Sequence, residues 1–271
     1  HTLGLLRDGR AEITAVYDTR MDGAREWAAQ HGLNCRVCGS FEEMLDYVDA
    51  VNICVPNAFH CDYALRAIKA GKHFLVEKPM AVQIEDCRRL AAACAEYDKT
   101  NMVGFVYRFS NAVQQARKIV REQIGDVYTL SAWFGGKRLA DPSIDLEWRM
   151  VRKRSGSGAL GDFGSHLVDL ADYVAGQRYS EVNCFADTFI RERNFGGVMT
   201  PVENDDAAAF IARGSNGIGS YTASRVGMDD VMVLVTGCGG MLQLSLRSPQ
   251  SVTYWEKKPD GGYTGAVKQY E

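Results

Sequence analysis

Long apolar runs are what the sequence most plainly lacks. No stretch approaches the ~18 residues that a bilayer-spanning helix needs, so no membrane partner is expected. An excess of one charge sign is missing too: 31 Lys and Arg stand against 34 Asp and Glu, which leaves no global field to hold nucleic acid. The one basic cluster, Arg149, Arg152, Lys153 and Arg154, reads as a solvated loop before a phosphate grip. The eight cysteines make no disulfide framework. Cys54 and Cys94 lie in apolar stretches and read as small buried hydrophobes, a usage that suits a reducing, cytoplasmic compartment. The CxxC at Cys35 and Cys38 lacks the second ligand pair that zinc needs. The histidines show no ligand spacing, so no metal is expected. Repeats and low-complexity segments are absent as well.

What is present is the alternation of a globular α/β chain, long enough at 271 residues for two domains. "EITAVYD" (12–18), "NCRVCG", "AVNICVP" (50–56), "KHFLVEKP" and "NMVGFVY" (101–107) read as strands. The near-continuous apolar run at 50–56 predicts a strand buried on both faces. Between the strands lie helical patterns at 23–32, 61–71 and 84–98, and "SFEEMLDYV" opens with capping-box spacing, Ser40 to Glu43. Such alternation predicts an α/β Rossmann domain with a parallel, doubly wound sheet over residues 1–107. Strands at 125–135, 180–190, 206–214, 217–225, 232–237 and 240–246, with few helices between them, predict an α+β domain over 108–271. Its core would be a large, mostly antiparallel open sheet.

A dinucleotide fold opens with a strand and a GxGxxG turn. One match exists, at Gly156, Gly158 and Gly161, but Val-Arg-Lys-Arg-Ser precedes it where an apolar strand is required. It is rejected as the fingerprint, and the first strand and its turn are expected upstream of His1.

Ligands of open parallel sheets sit beyond the carboxyl ends of the strands. Asp18 ends the 12–18 strand, where an acid accepts hydrogen bonds from the adenosine ribose and disfavours a 2′-phosphate, pointing to NAD over NADP. Arg20, two residues on, could accommodate that phosphate. Pro56 and Asn57 form a tight exit at the next strand end, with the Asn57 amide available to a cofactor, and His60 follows as a candidate contact or a helix-start residue. Lys78, between Glu77 and Pro79, is aimed from a third strand end, and Glu77 could orient it. In "GALGDFGSHLVDLADYVAG" (158–176), Leu160, Phe163, Leu167, Leu170 and Val174 form a helical core stripe. Asp162 and His166 share another face, flanked by Gly161 and Gly164, which would let another molecule approach closely. An imidazole beside a carboxylate can take a hydroxyl proton, and an ammonium can stabilise the oxygen left behind. Hydride would pass to a nicotinamide.

"AGKHFLVEKPMA", with "VPNAFH" before it and "GALGDFGSH" after it, resembles the Gfo/Idh/MocA oxidoreductases, the group of glucose–fructose oxidoreductase and inositol 2-dehydrogenase. The resemblance implies that Lys78 is the catalytic lysine of a Glu-Lys-Pro motif. It implies that Asp162 and His166 are its DxGxH pair, with His166 as acid/base and Asp162 as its partner or a substrate ligand. Arg108 and Trp148 fall where that family contacts cofactor or substrate. It further implies an NAD-dependent dehydrogenase oxidising a secondary hydroxyl of a sugar or cyclic polyol, inositol among them. A homodimer or homotetramer through the C-terminal sheet is also implied. An NAD-cycling glycosidase or epimerase, and a non-catalytic NAD-binding regulator, are the alternatives.

Overall fold

Ser40 illustrates how local chemistry sets the elements. Its side chain accepts the Glu43 backbone N–H at 3.1 Å, while the Glu43 carboxylate reaches back to the N–H of Gly39 at 2.7 Å, closing the first turn of a short helix. The computed structural model describes residues 1–270, with side chains to Ala266, as two units. One holds residues 1–55, 59–77 and 85–103; the other holds 56–58, 78–84 and 104–271.

In the first unit, helix α1 (Thr2–Asp8) precedes β1 (Ala15–Val16), α2 (Met21–Gln30), β2 (Arg36–Val37) and α3 (Phe41–Leu45). Then follow β3 (Ala50–Ile53), α4 (His60–Lys69), β4 (His73–Val76), α5 (Ile84–Ala95) and β5 (Asn101–Val103). β1 pairs with β2, and β3, β4 and β5 form a second sheet, every pair parallel. The run at 50–56 is not buried on both faces: Val51 and Ile53 point inward while Ala50, Asn52 and Cys54 are exposed. The strand's period of two places Cys54 on the open face with Asn52, so it is no buried hydrophobe, and Cys94 is only half-buried. Cys35 and Cys38 are free thiols whose ionisation burial pushes up, the opposite of an activated redox pair. The strand expected over 101–107 stops at Val103 and gives way to a 3-10 turn, Val106–Phe109.

The second unit begins with α6 (Asn111–Ile119) and β6 (Val127–Gly135), then α7 (Arg152–Ser155), a π-helix at Leu160–Gly164 and α8 (Ser165–Ala175). β7 (Tyr179–Asp187) follows, then a hairpin of β8 (Glu192–Phe195) and β9 (Val198–Pro201) that forms a small sheet of its own. β10 (Ala207–Gly214), β11 (Ile218–Ser224), β12 (Asp230–Gly237), β13 (Gly240–Ser245), β14 (Gln250–Lys257) and β15 (Tyr263–Tyr270) complete it. Eight strands form one sheet in the order β15-β14-β13-β12-β6-β11-β10-β7, antiparallel except where β11 meets β6. Alternation along β10, β11, β12 and β13 gives the sheet a dry face and a wet one there. Val113 and Ala116 of α6, and Leu167, Leu170 and Val174 of α8, pack on Leu130, Phe210, Tyr221 and Val233. Each buried Val, Leu or Phe among them contributes roughly 1.5–3 kcal/mol by leaving water. Among the described residues no helix is long and apolar enough to cross a membrane, and no group of three or more His, Cys, Asp or Glu could hold a metal.

Candidate active site

Lys78 leaves β4 one residue after Glu77, whose N–H is held by the Ile53 carbonyl at 3.0 Å, and the Lys78–Pro79 peptide is cis. The lysine packs within the second unit. Its Nζ donates to the Asp162 carbonyl at 2.9 Å and to the Asp162 carboxylate. Burial works to raise the pKa of Asp162, but the Lys78 ammonium, helped by Arg149 and Arg225, outweighs it and holds the carboxyl below its ordinary value.

The segment carrying Asp162 is the π-helix, not the first turns of a continuous α-helix; a π-turn inside a helix commonly marks a functional site. The stripe expected from 158–176 is accordingly broken: Leu167, Leu170 and Val174 are buried, whereas Leu160 is exposed and Phe163 half-buried. Asp205 secures the segment's start. Its carboxylate accepts the N–H of Gly158 and of Leu160, each at 2.7 Å, and its carbonyl accepts Ala159 N–H at 2.9 Å. A Cβ on Gly158 would lie 1.8 Å from the Asp205 carbonyl, so this close approach requires glycine. The glycines expected to admit another molecule face the chain itself: a Cβ at Gly161 would meet Ser157 Oγ at 2.3 Å, and one at Gly164 would meet Leu160 Cδ1 at 3.3 Å.

His166 is buried against aromatic rings, with Tyr107 at 4.8 Å, Phe134 at 5.8 Å and Phe105 at 5.9 Å between centroids. Burial first, then the charge of Lys78, lower its pKa to about 3, with Asp162 partly opposing them. The imidazole is therefore neutral at physiological pH. Asp162 acts on His166 as a nearby charge, while its hydrogen bonds join it to Lys78; the expected Asp–His pair is in fact a Lys–Asp pair beside a neutral histidine.

Asp162 also lines an open cleft of about 990 Å³ in the second unit, with Tyr107, Phe163, Arg149 and Arg225 among its walls. Arg149 sits on a fixed backbone, since its carbonyl accepts from Ser155 Oγ at 3.1 Å, Asn204 Nδ2 at 2.9 Å and Arg225 Nη1 at 3.3 Å. Of the cluster read as a solvated loop, Arg152, Lys153 and Arg154 are exposed but Arg149 is only part-exposed and faces the cleft. Trp148 carries the Arg149 guanidinium over its ring at 4.5 Å. Sequence reasoning missed Asp205, Arg225 and the cleft role of Arg149, because nothing local to those residues tells which distant segment they meet.

The other expected contacts have protein partners. Arg108 grips the Asp169 carboxylate, with Nε at 2.9 and 3.0 Å from its oxygens. Asn57 Nδ2 donates to the Ser155 carbonyl at 3.1 Å, following Pro56 at the strand exit. His60 is buried, with Nε2 2.8 Å from the Val55 carbonyl, a helix-start role. Glu77 lies 2.5 Å from His1 Nε2. Asp18 keeps a half-exposed carboxylate at the end of β1; one oxygen accepts Arg20 N–H at 2.8 Å, and Arg20 Nε is 4.0 Å away. An acid so placed has acceptor capacity for a ribose diol, which fits the adenosine end of a dinucleotide. The Gly156–Gly161 match joins α7 to the π-helix and follows no strand, so it is no pyrophosphate turn.

Two family models match the chain: an oxidoreductase family with an NAD-binding Rossmann fold over residues 2–105, and a Gfo/Idh/MocA C-terminal domain over 113–243. Levoglucosan dehydrogenase of Pseudarthrobacter phenanthrenivorans is 34% identical over 66% of this chain and 50% of its own length. The crystal structure of an oxidoreductase domain protein from Kribbella flavida is 30% identical with a TM-score of 0.88, over 96% of this chain and 71% of that one. A structure of levoglucosan dehydrogenase with NADH and levoglucosan is 28% identical with a TM-score of 0.86, over 94% of this chain and 70% of that one. The chain spans about half the length of the curated relatives it matches.

Proposed function

The chain belongs to the Gfo/Idh/MocA oxidoreductases, whose N-terminal part is an NAD-binding Rossmann fold, and on that premise we propose that it oxidises a secondary hydroxyl of a sugar or cyclic polyol to a ketone. The observation that carries the reading is the Lys78 ammonium on the Asp162 carboxylate, beside a neutral His166, at a segment lining an open cleft. The bound cofactor supplies a hydride acceptor, NAD in preference to NADP because Asp18 stands at the end of β1. Lys78 stabilises charge that develops on the substrate oxygen. Asp162 fixes the Lys78 ammonium through two acceptors. The unprotonated ring of His166 takes the hydroxyl proton. Aromatic walls around His166 exclude water from that transfer. Substrates related to levoglucosan are supported by the relatives whose names carry that sugar.

A homodimer or homotetramer through the eight-stranded sheet belongs to the same reading. Phe185, Ile211 and Ile218 lie on its wet face, 80%, 60% and 52% exposed, the kind of apolar patch that marks an interface.

The test is absorbance of NADH formed by the full-length enzyme over a panel of sugars and inositols. Accumulation with at least one of them is expected, together with a loss of about 10²–10⁴-fold in kcat/KM for Lys78→Met. Turnover without net NADH would point to a cycling epimerase or glycosidase, and unchanged kinetics in Lys78→Met would remove the lysine from the mechanism.

A further inference from the structure

Charge in the cleft does not follow the charge of the chain. Overall the protein carries about −3. In the cleft, Lys137 is paired with Asp229 at 3.3 Å and Arg138 with Glu147 at 2.5 Å, while Asp162 is neutralised by Lys78. Asp230 is engaged by Ser245 Oγ at 3.2 Å and by the Val231 N–H. The lining thus holds five cationic side chains, Lys137, Arg138, Arg149, Arg225 and Arg247, against four carboxylates, Glu147, Asp162, Asp229 and Asp230, and Lys78 adds a further cation at Asp162. Arg149 lies 3.9 Å from Glu147, which it shares with Arg138, and among the described residues the Arg247 guanidinium meets the Met228 sulfur.

Arg225 is the unusual member. It is 2% exposed, and among the described residues its Nη atoms donate to main-chain carbonyls, to Arg149 at 3.3 Å and Asp205 at 3.0 Å. Its Nε is buried without a hydrogen-bond partner among the described residues. A guanidinium stays charged in proteins, and the burial of this one is partly offset by the charges of Asp162, Asp205, Asp206 and Glu147, none of whose carboxylates hydrogen-bonds to it among the described residues. Its Nη1 helps to fix the Arg149 backbone, and both residues line the same cleft. Preorganised arginines of this kind suit a planar or tetrahedral oxyanion.

We infer that the cleft takes a sugar or polyol bearing an anionic substituent, a carboxylate or a phosphate, which Arg149 binds while Arg225 provides the fixed positive field behind it. This rests on the dehydrogenase reading for the identity of the sugar, but not for the preference between anion and neutral analogue. Arg149 is then a specificity-determining residue, and Arg247, exposed at the cleft, draws the anion in.

The experiment is calorimetric titration of the full-length enzyme, saturated with NADH, using two matched pairs: methyl glucuronide against methyl glucoside, and glucose 6-phosphate against glucose. At least one anion is expected to bind about tenfold or more tightly than its neutral partner at low salt. The two pairs separate carboxylate from phosphate. The advantage is expected to shrink in high salt, to vanish in Arg149→Met, and to be reduced in Arg149→Lys, which keeps the charge without the fork. Equal binding within both pairs would overturn the inference, with or without a folded variant. Formation of NADH from neutral sugars with no anion preference would sink the inference and leave the dehydrogenase standing. An anion preference with no NADH from any sugar would do the reverse.

Discussion

His166 shows how much a single residue's surroundings decide. An exposed histidine would titrate near its ordinary value; this one is driven to about 3 by burial and by Lys78. Between pH 6.5 and about 3 the unfolded chain therefore binds a proton that the folded chain refuses, so stability is lost as pH falls through that window. From pH 6.5 to 4.5 this one group costs roughly 2 kcal/mol. Urea titrations at those two pH values are expected to show a smaller loss for His166→Gln than for the parent protein, and an equal loss would contradict the burial account. Lys78, Asp162 and His166 were all legible as residue types at telling positions, since strand ends and short helix motifs are local signals. Which of them pair was not legible. Asp162 looked like a partner for His166 by sequence spacing, but Lys78, 84 positions away, takes its carboxylate. Arg225 and Asp205 carry no local signature at all, because their roles exist only where β11 and the loop before β10 meet the π-helix.

At the scale of elements, the π-helix is the part whose shape matters most, and Asp205 holds it. Asp205→Ala would leave the N–H groups of Gly158 and Leu160 without their carboxylate. A loss of about 1–3 kcal/mol in stability is expected in chemical denaturation, with a fall in kcat that exceeds any change in cofactor affinity. Asp205→Asn, which keeps one acceptor oxygen, should recover part of both; a merely structural role would move stability and leave kcat alone. The regular strands β6, β10, β11, β12 and β13 announce themselves in the sequence because one face is dry and the period of two survives. The π-turn does not, since its sequence keeps an apolar spacing that an α-helix would also satisfy. β3 misled in the other direction: an apolar run need not be buried on both sides, and Asn52 with Cys54 marks its open face.

For the whole molecule, parallel pairing in the first unit and an eight-stranded, mostly antiparallel sheet in the second follow from the change of rhythm along the chain, from strand–helix alternation to strands with short turns. The β8–β9 hairpin and β15 escaped that reading, the first because its strands are four residues each. The sheet's wet face makes a prediction about assembly. Ile211→Asp, placed opposite Asn183 and Ser220 in the register, should lower the assembly state seen by light scattering while the secondary structure is kept. An unaltered mass would remove this face from the interface. The central claim is that Lys78 and His166 act on one hydroxyl, and a crystal structure of the full-length enzyme with NADH and a bound sugar or polyol tests it most directly. The expected result is a substrate oxygen at about 3 Å from both Lys78 Nζ and a His166 ring nitrogen. A substrate whose hydroxyls reach neither group would contradict it.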